Sequence, residues 1–327
     1  MKDGLNIFIP SAGRRVELVQ CFQKAARRLG FTSNVVAGDC SKTAPALYFA
    51  DRAYELPRIN DPGYIDAIID ICNKEDISLV IPTIDTELLL LAENKQYIEA
   101  RSNAKVLISD VEIIRICRDK LNTQRFMESN GFGVPRLYTE EELQEGNVKY
   151  PVFIKPRSGS SSINAFKANN ETELNTYRSL ITDPIIQEFV EGEEYTVDVF
   201  LDFSSTIITI VPRRRIATRS GEISKGKIIK DRDIIEDIAK LMSVLKPIGH
   251  ITVQLMKTKN GIKYIEINPR FGGGAPMSIQ SGADSCENLY RLLMGEKLEY
   301  NENYRDNLTF LRFDSSICLD ENMEIIE

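Results

Sequence analysis

The sequence predicts an α/β protein with a parallel sheet in its first third, a small unit in the middle and a β-rich C-terminal part. Up to residue 109, short apolar segments alternate with helical patterns, as is typical of β–α–β units in a parallel sheet. A strand pattern ending at Lys155 runs into a Gly/Ser loop. From residue 194, strand patterns follow one another with few helices, which favours an antiparallel sheet.

In the first third, each apolar strand pattern precedes a helix with apolar residues at helical spacing. The helix predicted over Arg14–Leu29 places Val16, Val19 and Phe22 on one face. The other elements predicted up to residue 109 are the strands Leu5–Ile9, Asn34–Ala37, Leu79–Pro82 and Lys105–Ser109 and the helices Tyr64–Lys74 and Glu87–Glu99. This order predicts a parallel sheet covered on both faces.

Two further units follow a helix-rich connection over Asp110–Asn130, which ends at Gly131 and is followed by Val134-Pro135, a typical helix stop. The smaller unit comprises the predicted strands Val152–Lys155 and Ile185–Val190 and the helix Glu171–Leu180. The β-rich part comprises the predicted strands Tyr195–Asp202 and Thr206–Val211, a later hairpin, and the helices Arg232–Leu245 and Ser285–Met294. The last thirty residues are expected to form a covering tail.

Composition narrows the class of protein. The 327 residues allow two or three domains, and the formal net charge of −7 argues against nucleic acid as the main partner. No apolar run is long enough to span a membrane, and the N-terminus is too short and polar for a signal peptide. Six scattered cysteines without a CxxC pair favour a cytoplasmic protein with reduced thiols.

The single histidine, His250, argues against several kinds of chemistry. Multi-histidine metal sites need several histidines, and Ser-His-Asp or Cys-His catalysis would have to depend on this one residue. Any acid–base catalysis or electrostatic stabilisation would therefore come from carboxylates, lysines and arginines.

The most informative segment is a predicted hairpin that contains Gln254, Glu266 and Asn268. Side chains alternate along a strand, so Ile265 and Ile267 are expected to face the core while Glu266 and Asn268 share the opposite face. Carboxylate and amide oxygens are ligands that Mg²⁺ accepts together with waters and substrate phosphates. The hairpin is therefore a candidate metal site.

This metal site depends on the register of the hairpin. A two-residue Asn260-Gly261 turn would pair Leu255 with Glu266 and turn Gln254 to the wrong face. A three-residue Lys259–Gly261 loop, with Gly261 in the left-handed conformation, would pair Gln254 with Glu266. The metal interpretation requires this second register.

Two lysines are candidates for binding phosphate. Lys155 precedes Pro156 and the Gly/Ser loop Ser158–Ser162, whose backbone N–H groups and hydroxyls can face an anion. The alternative is a flexible surface hairpin with a solvated lysine. Lys120 opens a predicted helix, and by itself such a residue is more often an ordinary surface lysine.

The connector Gln187–Glu194 is a candidate for binding a nucleoside. It follows the buried strand pattern Ile185-Ile186. Backbone at such a connector can contact the edge of an adenine, and Glu194 can accept the hydroxyls of a ribose. An acidic turn between strands is the simpler alternative.

Arginines and glycines follow the later strands. Arg213–Arg219 and Ser224–Lys227 form a basic stretch whose default interpretation is solvated charge. Some of these arginines could instead stabilise a transferring phosphoryl group. Arg270 is the stronger candidate, because it lies two residues beyond Asn268, and Phe271–Pro276 allows close approach of the backbone to a substrate.

Two loops of the first third are further candidates. Ser11–Arg15 places small residues before a helix, where anions bind. Thr83, Asp85 and Glu87 follow the strand Leu79–Pro82, at the end of the sheet where ligands bind in open α/β folds. Asp85 as a helix cap followed by first-turn acids is the alternative.

These elements together resemble the ATP-grasp superfamily and, within it, single-module relatives of the carbamoyl-phosphate synthase large chain. The resemblance covers essentially the whole chain, and its most specific part is Gln254 followed by Glu266-x-Asn268-x-Arg270. It implies a Rossmann-like pre-ATP-grasp domain with a parallel sheet over 1–117, a small lid subdomain over 118–192 and a large subdomain with an antiparallel sheet over 193–327.

The resemblance also implies a role for each candidate residue. Mg²⁺ or Mn²⁺ would be held by Gln254, Glu266 and Asn268, and the reacting groups would be faced by Arg270, Arg213 and Arg215. ATP would be bound by Lys120, Lys155, Ser158, Gly159, Ser160, Ser161, Ser162, Gln187, Glu188, Phe189, Val190 and Glu194.

The implied function is an ATP- and Mg²⁺-dependent carboxylate–amine or carboxylate–thiol ligase that works through an acyl phosphate. Its acid would be small and amino-acid-like or sugar-linked, and a homodimer is compatible with this interpretation. Two alternatives stay open: a carbamoyl-phosphate-type synthetase that uses bicarbonate and ammonia, and a regulatory protein that binds ATP without turnover. A dinucleotide-dependent oxidoreductase is disfavoured, because only Gly13 of the glycine fingerprint is present.

Overall fold

The computed structural model describes residues 4–159 and 163–326 and confirms the α/β fold class. The predicted loop residues Ser160, Ser161 and Ser162 lie outside the described part. The first sheet is parallel, with the order β3-β2-β1-β4-β5. Its strands are β1 (Asn6–Ile9), β2 (Val35–Asp39), β3 (Arg52–Glu55), β4 (Ile77–Val80) and β5 (Lys105–Val106), and its helices are α1 (Val16–Leu29), α2 (Tyr64–Lys74) and α3 (Leu88–Arg101).

Alternation along β1 explains why helices cover both faces of this sheet. Ile7 and Ile9 pack into one apolar cluster with α1, whereas Phe8 packs into another with α2 and α3. Each such buried side chain contributes roughly 1.5–3 kcal/mol. The edge strand β3 was not predicted, because its residues are mostly exposed and show no apolar run.

A helical connection leads to the small sheet. It comprises α4 (Val111–Arg118), α5 (Lys120–Ser129) and α6 (Glu140–Gln144). Asp119 caps α5 by accepting hydrogen bonds from the backbone N–H groups of Leu121 and Asn122 at 2.9 and 3.2 Å. The small sheet has the order β7-β6-β8, with β6 (Val152–Pro156), β7 (Phe166–Ala168) and β8 (Pro184–Glu188), and it packs against α7 (Glu171–Leu180).

The third sheet is antiparallel, with the order β13-β12-β9-β10-β11-β14. Its strands are β9 (Glu193–Leu201), β10 (Ile207–Arg219), β11 (Glu222–Ile228), β12 (Gly249–Thr258), β13 (Gly261–Asn268) and β14 (Thr309–Leu311). The helices of this part are α8 (Arg232–Leu245), α9 (Ala275–Ser281) and α10 (Ser285–Leu293), and the short strands β15 (Cys318–Leu319) and β16 (Ile325–Ile326) pair in the tail. Apolar residues of β9 and β12 pack on α8, which leaves the opposite face for polar groups.

The basic stretch, whose default interpretation was solvated charge, is solvated only in part: Arg219 is exposed, whereas Arg213 is buried. Arg213–Arg219 belongs to β10 and Ser224–Lys227 to β11, and the Arg213 side chain is only 1% exposed. The strand continues past Val211 because a buried carboxylate, Asp198 on β9, neutralises Arg213.

The hairpin β12–β13 has the register that the metal interpretation requires, but the register results from a β-bulge and not from the loop length. Gln254 lies opposite Glu266, as the metal interpretation requires, although Thr258 pairs with Gly261 around a two-residue turn. A β-bulge at Ile265 then moves the register by one residue. The turn is therefore Lys259-Asn260, which is neither of the two loops considered from the sequence, and the pairing of Gln254 with Glu266 is confirmed.

The bulge also changes which side chains reach the core. Tyr264 and Ile267 join the apolar cluster under the sheet, whereas Ile265 is only half-buried. The expectation that Ile265 faces the core is wrong, because the extra residue restarts the alternation of the strand. Glu266 and Asn268 still share the opposite face.

The boundaries of the three predicted domains, 1–117, 118–192 and 193–327, remain predictions. The three main sheets occupy residues 6–106, 152–188 and 193–311. No helix in the described ranges is long and apolar enough to cross a bilayer.

Candidate active site

Two rows of polar side chains cross the third sheet on its face opposite α8. The first row runs across four strands, from β13 through β12 and β9 to β10. Its members, each opposite the next, are Glu266, Gln254, Thr196 and Arg213. Directly opposed residues of antiparallel strands have their side chains on one face, within about 5 Å at Cβ. Strand register thus assembles one continuous polar row from four strands.

The second row lies two residues further along the same strands, at the next pairs whose side chains are on this face. Asn268 is opposite Thr252, and Thr252 is opposite Asp198. The residues of both rows line a cavity of about 220 Å³, apart from Asp198, which contacts the lining residues Arg213 and Thr252 without lining the cavity itself. Opposite the rows, the cavity is lined by Arg15, Thr83 and Asp85 from the first third of the chain.

Asp198 organises the floor of this cavity. It accepts hydrogen bonds from Arg213 Nε and Nη2 at 3.2 and 2.9 Å and from the hydroxyls of Thr252 and Ser278. Burial alone would raise the pKa of Asp198, but Arg213 and His250 hold it well below its usual range. Asp198 is therefore a charged anchor that fixes Arg213 under the cavity.

His250 supports this floor from the side. Its ring stacks on Phe271 with centroids 4.3 Å apart, its Nδ1 lies 3.1 Å from the Ser285 hydroxyl, and its Nε2 lies 3.4 Å from Asp198. The lone histidine is buried and does not line the cavity, so its position is structural.

Two buried guanidinium nitrogens at the cavity have no hydrogen-bond partner within the described residues. They are Nη1 of Arg213 and Nε of Arg215. An unpaired buried donor of this kind carries a desolvation cost of about 1–3 kcal/mol or more. Both arginines line the cavity, so the site is suited to an anion that accepts these N–H groups.

Arg270 connects the third sheet to the first. Its guanidinium donates to both oxygens of Asp85, from Nε at 3.1 Å and from Nη2 at 2.8 Å. Burial would raise the pKa of Asp85, but Arg270, with Arg118 and Arg15, lowers it below the ordinary value. Asp85 does not cap the following helix, so that alternative is wrong, and its carboxylate instead fixes Arg270 beside Asn268.

The glycines after Arg270 let the backbone approach the arginines closely. A Cβ on Gly274 would lie 2.5 Å from Arg213 Nη1, and a Cβ on Gly273 would lie 2.7 Å from Arg15 Nη1. Any side chain at these positions would displace a guanidinium from the cavity wall.

The predicted phosphate lysines lie near Glu266 but outside the lining of the cavity. Lys155 is on β6, is 5% exposed, and burial lowers its pKa to about 8. Burial likewise lowers the pKa of Lys120, whose Nζ donates to the carbonyl of Gly159 at 2.9 Å. The Glu266 carboxylate opposes both shifts, so it lies within coulombic range of both ammonium groups.

The predicted nucleoside connector has its side chains engaged with the protein. Gln187 is buried and donates to Gln124 at 2.9 Å, and Glu188 accepts the backbone N–H of Arg136 at 3.1 Å. Lys167 Nζ lies 4.2 Å from the centre of the Phe189 ring. The side chains of Gln187, Glu188 and Phe189 are therefore already in contact with other parts of the protein.

Glu194, the predicted ribose ligand, is paired with Arg215 at 3.1 Å. Ser158 and Gly159 are exposed at the start of the loop after β6. None of these three residues lines the cavity of about 220 Å³. The roles predicted for these residues, like those of the other site residues, remain proposals.

Sequence reasoning did not single out Thr196, Thr252, Asp198 or Glu222. The alternation of Thr196 and Asp198 along one strand is visible in the sequence, but their meaning depends on the pairing of β9 with β10 and β12. Glu222 lies 3.2 Å from Arg312 and 3.5 Å from Arg15 across the cavity mouth, and no local pattern marks it.

Comparison with known proteins places this geometry in a family. Residues 117–274 match the family model described as ATP-grasp domain, and residues 7–106 match the model described as PylC-like, N-terminal domain. Residues 117–274 therefore form an ATP-grasp domain, which confirms the resemblance drawn from the motifs.

Individual relatives are distant. A carbamoyl-phosphate synthase of Methanobrevibacter smithii is 22% identical over 288 residues, covering 80% of this chain and 77% of that protein. A D-alanine–D-alanine ligase of Fusobacterium nucleatum is 33% identical over 98 residues, covering 30% of this chain and 33% of that ligase. These identities show that the proteins are related, but they do not show that they share a substrate.

A solved structure has the same fold over most of the chain. The biotin carboxylase domain of Hydrogenobacter thermophilus 2-oxoglutarate carboxylase gives a TM-score of 0.72 at 17% identity, covering 93% of this chain and 73% of that chain. At this identity the match shows the fold alone.

Proposed function

We propose that this protein is an ATP- and Mg²⁺-dependent carboxylate–amine ligase that forms an acyl phosphate. The observation that carries the proposal is the polar row from Glu266 to Arg213, which places oxygen ligands and unpaired guanidinium donors in one cavity. The match of residues 117–274 to the ATP-grasp domain supports it, as does the solved structure of the same fold, which is in complex with MgADP, ADP and bicarbonate.

The residues of the hairpin fit a divalent cation with oxygen ligands. Gln254 and Glu266 are directly opposed, and Asn268 is on the same face, so one carboxylate and two amide oxygens converge. In the described ranges, no group of three His, Cys, Asp or Glu residues could form a metal site by itself. Such a sparse oxygen set suits Mg²⁺, which would take further oxygens from nucleotide phosphates and would neutralise their charge.

Lysines and arginines would divide the phosphate chain between them. Lys155 and Lys120, on the side of the small sheet, would bind the phosphates nearer the adenosine, and Arg213, Arg215 and Arg270 would face the γ-phosphate. Glu266 is electrostatically coupled to both lysines and to Arg215. The metal ligands would therefore lie between the two basic groups, where a triphosphate needs them.

The reaction requires positioning and charge neutralisation more than covalent chemistry by the protein. An oxygen of the substrate carboxylate attacks the γ-phosphorus, the bond to the β-phosphate oxygen breaks, and ADP leaves. The amine then attacks the carbonyl carbon of the acyl phosphate, phosphate leaves with the C–O electron pair, and the amine releases a proton. Arg270 and the unpaired donors of Arg213 and Arg215 would stabilise the charge on the transferring group.

The cavity is suited to a small acid. A volume of about 220 Å³ lined by Arg15, Arg213 and Arg270 accommodates a compact carboxylate, consistent with an amino-acid-like or sugar-linked acid. A carbamoyl-phosphate-type reaction with bicarbonate and ammonia is the second candidate, because the carbamoyl-phosphate synthase relative matches over most of both chains.

Glu266→Gln tests the proposal. Loss of the only carboxylate among the three ligands should reduce Mg²⁺-dependent ADP formation by about 100-fold or more, while the exposed helix residue Glu236 changed to Gln serves as the matched control. ADP formation is measured with a panel of small acids and amines, and binding of a non-hydrolysable ATP analogue is measured separately by calorimetry.

The outcomes separate the candidates. ADP formation that needs both an acid and an amine supports the ligase, whereas stimulation by bicarbonate alone or with ammonia selects the synthetase. Analogue binding without turnover for any substrate mixture would select the regulatory alternative. Absence of analogue binding, or full activity of Glu266→Gln, would remove the proposed site.

A further inference from the structure

A second cavity, of about 540 Å³, lies in the first domain and is unrelated to the predicted nucleotide residues. It is lined by Gly13 after β1, by Asp39 at the end of β2, and by Ile84 and Thr86 after β4. β1 lies between β2 and β4 in the sheet, so the strand order reverses at this point. A crevice at the carboxyl ends of parallel strands, where the order reverses, is where open α/β sheets bind ligands.

The walls of this second cavity are largely apolar. Leu56, Ile59 and Ile84 line it together with the ring of Tyr64. Its volume is within the range of about 300–1,000 Å³ that is usual for small-molecule sites. Apolar walls of this extent favour a ligand with an apolar body.

One carboxylate, that of Asp39, lies in the same cavity. Its Oδ2 accepts the backbone N–H of Gly13 at 2.8 Å and its Oδ1 accepts that of Ser41 at 2.9 Å. A carboxylate has about four acceptor positions, so two remain. Across the described part of the chain, Asp39 has no lysine or arginine as an ion-pair partner, and the lining residue Arg58 is exposed to solvent.

These features select a class of ligand. A phosphate or carboxylate would meet the negative charge of Asp39, whereas a protonated amine would neutralise it and donate to its free acceptor positions. We propose that the second cavity binds a small organic cation with an apolar body, at a site separate from that of the nucleotide. The two cavities share the loop residues Ile84 and Thr86, with Asp85, the partner of Arg270, between them.

A natural probe makes the site testable. Cys40 lines the second cavity and is exposed, as is Cys318 in β15, while the other four cysteines are buried. The variant Cys318→Ser leaves Cys40 as the exposed thiol for N-ethylmaleimide, so it reports on the second cavity. The variant Cys40→Ser leaves Cys318 instead and serves as the control. The rate of modification is measured with 2-phenylethylamine, cyclohexylamine and isoamylamine, and with the alcohol and the acid of the same carbon skeletons.

At least one of the amines is expected to slow modification of Cys40 roughly tenfold when it is present at ten times its dissociation constant. The rate at Cys318 should not change, and the acids should not protect. Asp39→Asn should remove the preference for an amine over its alcohol, and Ile59→Trp, which fills the cavity, should abolish protection by both. Circular dichroism and the thermal midpoint establish that each variant is folded.

Failure of all three amines to protect Cys40, protection by the acids equal to that by the amines, or an unchanged preference in Asp39→Asn would each overturn the proposal. The measurement contains no ATP and no turnover. Its result is therefore independent of whether the ligase function proposed above is correct.

Discussion

At the scale of single residues, burial of charge is the main feature of this site. Arg213 and Asp198 are each only 1% exposed, and the pair survives burial because Asp198 accepts several hydrogen bonds at once. Removing one member of such a pair costs about 3–5 kcal/mol, since the other charge stays buried and unpaired. The pair therefore fixes the position of the Arg213 guanidinium at the cavity.

Lys155 leads to a prediction about pH. Burial lowers its pKa to about 8, so the ammonium loses its proton as pH rises through that value. If the charged form binds phosphate, kcat/KM for ATP should fall about tenfold between pH 7 and pH 9. Steady-state rates at fixed Mg²⁺ measure this profile.

Lys155→Arg provides the control for that profile. The guanidinium keeps its charge throughout this range, so the variant should lose the alkaline decrease even if its activity is lower. A wild-type profile that stays level to pH 9 would contradict the assignment of Lys155 to phosphate binding.

At the scale of elements, the β-bulge in β13 decides the geometry of the proposed metal ligands. A regular continuation of the Thr258–Gly261 register would have opposed Gln254 to Ile265 rather than to Glu266. The bulge leaves Ile265 half-buried while Tyr264 and Ile267 fill the core. One extra residue therefore aligns Glu266 with Gln254 and preserves the apolar face.

This arrangement predicts unequal costs for two neighbouring isoleucines. Ile267→Ala should lower the free energy of unfolding by about 2–5 kcal/mol, because it opens a cavity in the core. Ile265→Ala, the matched substitution at the bulge, should cost less than about 1 kcal/mol. Urea denaturation measures both, and equal losses would show that Ile265 also packs in the core.

The glycine segment after β13 gives a second prediction at this scale. Gly274→Ala places a methyl group against Arg213 Nη1 and Ile223, so the guanidinium has to move. Activity should fall at least about tenfold, with a stability loss of about 1–3 kcal/mol. Gly63→Ala, whose Cβ would meet only the carboxylate end of Asp61 at 3.2 Å, is the comparison.

For this second prediction, ATP-dependent turnover and the thermal midpoint are measured on both variants. Turnover in Gly274→Ala equal to that of the wild type would show that Arg213 is not needed in its present position.

At the scale of the whole molecule, the site is completed by contact between the first and third sheets. Asp85 from the loop after β4 fixes Arg270 from the end of β13, and Arg15 and Thr83 complete the lining. The same loop contains Glu87, which accepts hydrogen bonds from the backbone of Thr83 and Ile84 and from Ser11 and Tyr64. Its side chain therefore shapes the loop that both cavities share.

Glu87 predicts a pH dependence of stability. Burial raises its pKa to about 7, so the folded state favours the protonated carboxyl. The contribution of Glu87 to the free energy of unfolding is fully present below the ordinary pKa of about 4.5 and is lost as pH rises towards 7. The free energy of unfolding should fall by about 3 kcal/mol over this range. Free energies of unfolding at pH 5, 6 and 7 measure this contribution.

Glu87→Gln should remove that part of the pH dependence, because the neutral amide is nearly isosteric and does not titrate. Glu93→Gln, at an exposed position of α3, should leave the dependence as in the wild type. Identical pH profiles for wild type and Glu87→Gln would show that Glu87 does not titrate in this range.

The sequence alone determined what local patterns encode: the β–α–β order and the helices at Tyr64–Lys74, Glu171–Leu180 and Arg232–Leu245. It also singled out Gln254, Glu266, Asn268 and Arg270, which line the cavity of about 220 Å³. It could do so because helical spacing and strand alternation are set by neighbours a few positions apart. The tertiary structure decided three further features: the ion pair of Asp198 with Arg213, the ion pair of Asp85 with Arg270, and the β-bulge at Ile265. Each depends on which strands pair and in which register, and that choice is made by burial of residues far apart in the chain.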